Sequence, residues 1–202
     1  MTKIKMCGLS SENDIQAANE IMPDYIGFVF AGKSKRFVSA EKAGRLKKIL
    51  NPGISAVGVF VDESTETVAK LLKNGIIDIA QLHGNESDEY IRILRTLTNK
   101  LLFQAFRIRT ADDVIKAEKS IADYVLLDAG AGDGIVFDWS LLKNIKRPFF
   151  LAGGLNCENA VSAVRTLHPF ALDVSSGIET DGKKDKIKMA AFAAAVRKED
   201  YR

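Results

Sequence analysis

Ile4-Lys5-Met6-Cys7-Gly8 is a short strand-like run that stops at a cysteine and a glycine, and the same strand-then-polar-tip arrangement recurs seven more times. The later runs are Tyr25 to Phe30, Ala56 to Val61, Asp78 to Leu82, Leu101 to Phe106, Tyr124 to Leu127, Phe149 to Leu151 and Ala171 to Val174. Several are continuous apolar stretches rather than alternating ones, as in a parallel sheet covered by helices. Stretches of helical period lie between them. Ser11 with Asp14 and Thr110 with Asp113 have the spacing of capping boxes, and Ser39, Ser64 and Ser87 stand where N-caps are wanted. Gly75 suits a left-handed stop for a helix over 68–73. Eight alternations of strand and helix predict a closed (β/α)8 TIM barrel rather than an open doubly wound sheet.

The chain has 202 residues, below the ~250 typical of such barrels, so its loops must be short. No linker, low-complexity stretch or composition shift divides it, and residues 1–202 are expected to form a single compact domain. An apolar fraction of 47% supplies a sizeable core. A net charge of +3 is too small and too dispersed for a nucleic-acid partner. The cluster Lys183, Lys184, Lys186 and Lys188 is expected to be a solvated helix start. There is no secretory h-region, and no run approaches the ~18 apolar residues that span a bilayer, so no membrane partner and a cytoplasmic location are expected. Cys7 and Cys157 make no disulfide framework. The sequence leaves a homodimer and a monomer both open.

In a barrel of this kind the functional groups come from the C-terminal ends of the strands, where the βα loops converge. The candidates are Cys7, Lys33 to Arg36, Asp62, Gln81 with His83, Arg107 and Arg109, Asp128, Gly153-Gly154 and Ser175-Ser176-Gly177. Glycine pairs and small hydroxyl residues after the last two strands leave backbone N–H groups bare. Such groups bind phosphate without a lysine, and the pattern implies a phosphorylated small-molecule substrate. Tight turns alone would also explain each glycine pair taken singly.

Cys7 admits two readings. It is a small buried hydrophobe, or a base whose sulfur faces the mouth near backbone amides at a helix start, where a modest depression from about 8.5 would suffice. Asp128 precedes the loop Ala-Gly-Ala-Gly-Asp-Gly over 129–134. A partly desolvated carboxyl there holds a proton and serves as an acid; an Asx turn or N-cap is the alternative.

Seven motifs in order then carry a specific resemblance: Lys5-Met6-Cys7-Gly8-Leu9; Gly27-Phe28-Val29-Phe30 with Ser34-Lys35-Arg36-Phe37-Val38; Gln81-Leu82-His83-Gly84; Phe137-Asp138-Trp139; Leu151-Ala152-Gly153-Gly154-Leu155; Asp173-Val174-Ser175-Ser176-Gly177-Ile178-Glu179; and Gly182-Lys183-Lys184-Asp185. Together they resemble the phosphoribosylanthranilate isomerase family over essentially the whole chain. The resemblance implies an Amadori rearrangement of N-(5-phosphoribosyl)anthranilate in tryptophan biosynthesis, with no metal and no organic cofactor. By position it makes Asp128 the acid that opens the ribose ring and Cys7 the base at C2. Arg36 would grip the anthranilate carboxylate, a task suited to a planar guanidinium; a surface arginine flanked by Lys33 and Lys35 is the plain alternative. Gly153, Gly154, Ser175, Ser176 and Gly177 would take the phosphate. Gln81 and His83 would line the pocket, His83 alternatively orienting a loop, and Asp173 would lie beside them.

Two positions depart from the family pattern. Asp133 stands in the loop after Asp128 where a hydroxyl is common, and is expected to point away from the phosphate. Cys157 stands where proline is common in the first turn of a helix, and is expected to be reactive without being catalytic. Two competing readings remain. A phosphosugar epimerase would use a metal, and the chain offers only His83 and His168, the latter expected at the opposite rim. A catalytically silent phosphate-binding barrel would need none of Cys7, Arg36 and Asp128.

Overall fold

A computed structural model of the chain describes residues 1–128, 138–142 and 145–200. Eight strands, β1 (Lys3–Cys7), β2 (Tyr25–Val29), β3 (Ser55–Phe60), β4 (Ile79–Leu82), β5 (Leu102–Arg107), β6 (Tyr124–Asp128), β7 (Phe149–Ala152) and β8 (Ala171–Val174), pair in sequence order. They close into a parallel barrel where β8 meets β1. The helices are α1 (Glu12–Ile21), α2 (Ala40–Ile49), α3 (Thr65–Lys73), α4 (Asp88–Leu97), α5 (Ala111–Glu118), α6 (Ala160–Leu167) and α7 (Lys186–Asp200). The expected eighth alternation differs. Among the described residues between β6 and β7 the only helix is a short 3-10 turn, Trp139–Leu142, and an antiparallel hairpin, β9 (Glu179–Thr180) with β10 (Lys183–Lys184), precedes α7.

The helix starts follow their caps. Ser11, Ser39, Ser64 and Ser87 each accept a hydrogen bond from the backbone N–H three residues on, and the Asp14 and Asp113 carboxylates return the bond to Ser11 and Thr110. These interactions satisfy amides that a helix terminus otherwise leaves unpaired. Gly75 takes φ +67° directly after α3, as its place predicts.

Strand period two divides the core into two. Outward residues such as Ile4, Met6, Ile26, Phe28, Leu127 and Leu151 pack against the helices, while Val57, Ile79, Phe103, Leu126 and Phe150 fill the barrel interior. Around Phe103 and Phe150 the rings of Tyr25, Tyr124 and Phe170 pack at centroid separations of 4.6–6.1 Å, mostly edge-on or tilted. This aromatic plug closes the N-terminal half of the barrel. The polar inward residues Lys5, Cys7, Gln81, Asp128 and Asp173 therefore gather toward the C-terminal mouth. No helix of the described residues is long and apolar enough to cross a membrane.

Candidate active site

One cavity of about 510 Å³ opens at the C-terminal mouth. Cys7, Arg36, Gln81, His83, Asp128, Gly153, Gly154, Asp173, Ser175 and Ser176 all line it, so ten of the eleven residues to which the family resemblance gave a role meet around a single space. Arg107 lines it too. Gly177 adjoins the lining residue Ser176, and on its Cα side it packs against the loop after β7: a Cβ there would sit 1.9 Å from the Leu155 carbonyl oxygen. A glycine at 177 is what lets the loops after β7 and β8 touch.

Those two loops form one corner. Gly153 and Gly154 take φ +89° and +63°, a left-handed pair that turns successive N–H groups to one side. The backbone N–H groups of Gly153, Gly154, Ser176 and Gly177 donate no hydrogen bond among the described residues. The Ser175 hydroxyl donates to the Cys7 carbonyl at 3.1 Å, tying the end of β8 to the end of β1.

Cys7 is half-buried at the end of β1. Its register partner on β2 is Gly27, where a Cβ would lie 2.6 Å from the sulfur. The expectation that helix-start amides depress its pKa is corrected: burial pushes the thiol up, while Lys5 and Lys184 oppose the shift. Helix α1 does not begin until Glu12, too far along the chain for its first amides to dominate.

Lys5 was not singled out from sequence. It is fully buried inside the barrel, with Nζ 2.8 Å from Asp173 Oδ2. The two are register partners across the β1–β8 seam, which is why a lysine can exist there at all. The signal was present: a charged residue in the inward phase of a barrel strand, two residues before Cys7, requires a buried partner.

Arg36 is held rather than loose. Its Nε and Nη2 donate to the two carboxylate oxygens of Glu179 at 2.7 and 2.8 Å, leaving the Nη1 edge of the guanidinium uncommitted to Glu179. Lys184 donates to Glu179 Oε1 at 2.6 Å and to the Ser175 carbonyl at 2.9 Å. With its side chain 2% exposed, Lys184 corrects the expectation of a wholly solvated lysine cluster. Hairpin β9–β10 folds it inward onto Glu179. Burial alone would raise the Glu179 pKa, but Arg36 and Lys184 outweigh it and hold the carboxyl at about 2.

His83 Nε2 lies 3.4 Å from Asp128 Oδ2, while Gln81 Nε2 lies 2.9 Å from His83 Nδ1. The Gln81 contact holds the Nδ1 side of the ring and leaves its Nε2 edge toward Asp128. His83 thus faces the candidate acid rather than only shaping its loop. Asp62 belongs elsewhere: its carboxylate caps the Asn85 amide. Cys157 is exposed and precedes α6, in a turn where Asn156 Oδ1 accepts from the amides of Glu158 and Asn159. It therefore lies outside the first helical turn expected for it. His168 caps the far end of α6 and lines a separate pocket with Met1 and Phe170, at the opposite rim. Asp133 lies outside the described residues. No group of three or more His, Cys, Asp or Glu that could hold a metal occurs among the described residues.

Comparison with known proteins gives a consistent result. The family model for N-(5'-phosphoribosyl)anthranilate isomerase matches residues 4–195. The chain is 42% identical to the N-(5'-phosphoribosyl)anthranilate isomerase of Endomicrobium trichonymphae, over 98% of this chain and 99% of that protein. It is also 42% identical to the Clostridium acetobutylicum enzyme, with the same coverage. Among solved structures, phosphoribosyl anthranilate isomerase from Thermotoga maritima superimposes with a TM-score of 0.89 at 35% identity, covering 98% of this chain and all of that one. A complex of phosphoribosyl anthranilate isomerase with reduced 1-(o-carboxyphenylamino)-1-deoxyribulose 5-phosphate superimposes with a TM-score of 0.88, at 35% identity and the same coverage.

Proposed function

The chain belongs to the N-(5'-phosphoribosyl)anthranilate isomerase family, and from that premise we propose how its cavity carries out the reaction. The reaction is the Amadori rearrangement of N-(5-phosphoribosyl)anthranilate to 1-(2-carboxyphenylamino)-1-deoxyribulose 5-phosphate, a step of tryptophan biosynthesis. What supports the residue assignment is that Cys7, Asp128, Arg36 and two loops with unengaged amides line one cavity. In a closed eight-stranded barrel β6 stands three strands round from β1, so a sugar in the mouth meets the two reactive groups on different faces.

The 5-phosphate docks on the amides of Gly153, Gly154, Ser176 and Gly177, with the Ser175 and Ser176 hydroxyls beside them. The anthranilate carboxylate takes the Arg36 edge that Glu179 leaves open. Asp128 delivers a proton to the ring oxygen; the C1–O bond breaks, and the nitrogen lone pair forms the C1=N imine. Cys7 as thiolate then removes the C2 proton, and the electrons of the C–H bond become the C1–C2 double bond of an enolamine as the imine nitrogen is neutralised. Tautomerisation gives the ketone. The imine acidifies the C2 proton, so a thiolate of ordinary basicity suffices. His83 faces Asp128 from the side and can return the proton it has delivered. On this reading the enzyme works in the cytoplasm, as a monomer or a homodimer; light scattering tells the two apart.

The test is loss of phosphoribosylanthranilate fluorescence, with the substrate made in situ from anthranilate and phosphoribosyl pyrophosphate. Cys7→Ala and Asp128→Asn should each lose about 10²–10⁴-fold in kcat/KM, Cys157→Ala should keep full activity, and EDTA should leave the rate unchanged. Full turnover by Cys7→Ala, or loss of turnover in Cys157→Ala, ends the assignment of the base.

A further inference from the structure

We propose that Lys5 is a positioning residue for the reaction: its buried ammonium, balanced by Asp173, is the cation that stabilises the thiolate form of Cys7. The proposal rests on Cys7 being the base and says what makes it one.

Residues 5 and 7 are two apart on β1 and share the inward face of the barrel. Lys5 has no contact with water, and a buried ammonium is costly even when paired, because desolvation consumes most of the attraction to its partner. A barrel interior otherwise filled by Val57, Phe103, Leu126 and Phe150 would be equally well closed by an apolar residue at 5 and at 173. The pair is also incomplete. Among the described residues Asp173 Oδ1 is buried without a hydrogen-bond partner, so Asp173 spends one oxygen on Lys5 while Lys5 keeps donors to spare. Cys7, two residues on along the same inward face of β1, lies within electrostatic reach of that ammonium.

The charges around the sulfur come from every neighbouring element. Lys5 lies on β1, Asp173 on β8, Lys184 on β10, and Arg36 on the loop after β2, paired with Glu179. His83 and Asp128 face Asp173 from β4 and β6. Lys5 and Asp173 cancel, and the single Glu179 carboxylate is shared by Arg36 and Lys184, so this group leaves one surplus positive charge on this side of the cavity. The proposed carboxylate of the substrate would neutralise that surplus on binding. The cation that shares the inward face of β1 with the sulfur, and that no substrate group competes for, is then Lys5. Burial opposes charge on Lys5, but Asp173 and Cys7 outweigh it and keep the amine protonated; the same burial raises the thiol, and Lys5 is the leading influence against that rise.

The experiment reads Cys7 without substrate. In a Cys157→Ala background, the rate of alkylation by iodoacetamide and the thiolate absorbance near 240 nm are followed against pH. Lys5→Met should raise the Cys7 pKa by about one unit or more, slowing alkylation at pH 7 by about tenfold, and should move the acid limb of kcat/KM by the same amount. Lys5→Arg should restore both. The double variant Lys5→Met/Asp173→Leu replaces the whole ion pair by apolar side chains and should also raise the thiol, since the lost Lys5 outweighs the lost Asp173 at the sulfur. A folded Lys5→Met protein that titrates like its parent overturns the proposal; if Lys5→Met does not fold, an unshifted titration of the double variant does so. The alkylation and absorbance readings need no turnover, so they stand or fall separately from the assignment of Cys7 as the catalytic base.

Discussion

Arg36 and Glu179 are joined by two parallel hydrogen bonds across 143 positions of sequence, so the arginine proposed to grip the substrate is fixed before substrate arrives. Charge-assisted bonds of this kind contribute about 1.5–3 kcal/mol each. Their effect is to hold the Nη1 edge toward the cavity at no entropic cost during binding. Glu179→Gln keeps the size and loses the second acceptor. It should raise KM about tenfold, the equivalent of about 1.4 kcal/mol, with a smaller change in kcat, as measured by steady-state fluorescence. An unchanged KM would show that Arg36 needs no strap.

The same carboxylate makes stability depend on acid. Its pKa falls from an ordinary 4.5 to about 2 in the fold, so the folded state holds the charged form more tightly than the unfolded chain does. The sign follows: the stabilisation is fully present above about pH 4.5, and is lost as pH falls toward about 2. Urea midpoints of the native protein and Glu179→Gln should differ at pH 7 and converge across that window. A difference that stays constant down to pH 2 would contradict the assignment.

Gly27 reserves space for the reactive sulfur. A methyl at this position would come within 2.6 Å of Cys7 Sγ, so the sulfur or β2 must shift. Overpacking of this kind costs about 1–3 kcal/mol, and a displacement of about 1 Å costs about a hundredfold in rate. Gly27→Ala should therefore lower kcat about a hundredfold while circular dichroism shows an intact barrel; an unaffected kcat would mean the sulfur does not need its present place.

The barrel itself was legible in the sequence because strand and helix periods, caps and turn residues all pointed the same way. The tips of the strands identified the cavity wall, since closure brings those tips together whatever the loops do. What escaped was pairing. Lys5 sits inside an apolar run, and its role depends on Asp173, 168 positions away. Glu179 and Lys184 were visible only as members of a motif and a basic cluster; the β9–β10 hairpin that folds Lys184 inward spans six residues with two-residue strands, too short for any periodicity to show. The pKa of Cys7 was misjudged for a related reason: burial is a property of the closed barrel, and the nearest helix start lies further off than the glycine after Cys7 suggested.

The most direct test of the central claim is a crystal structure of this protein with the reduced product analogue bound. The account predicts the Cys7 sulfur within about 3.5 Å of C2 and an Asp128 oxygen within about 3 Å of the oxygen derived from the ribose ring, on opposite faces of the sugar, with the phosphate on the amides of Gly153, Gly154, Ser176 and Gly177. A sugar seated with either group out of reach, or with both on one face, would contradict it.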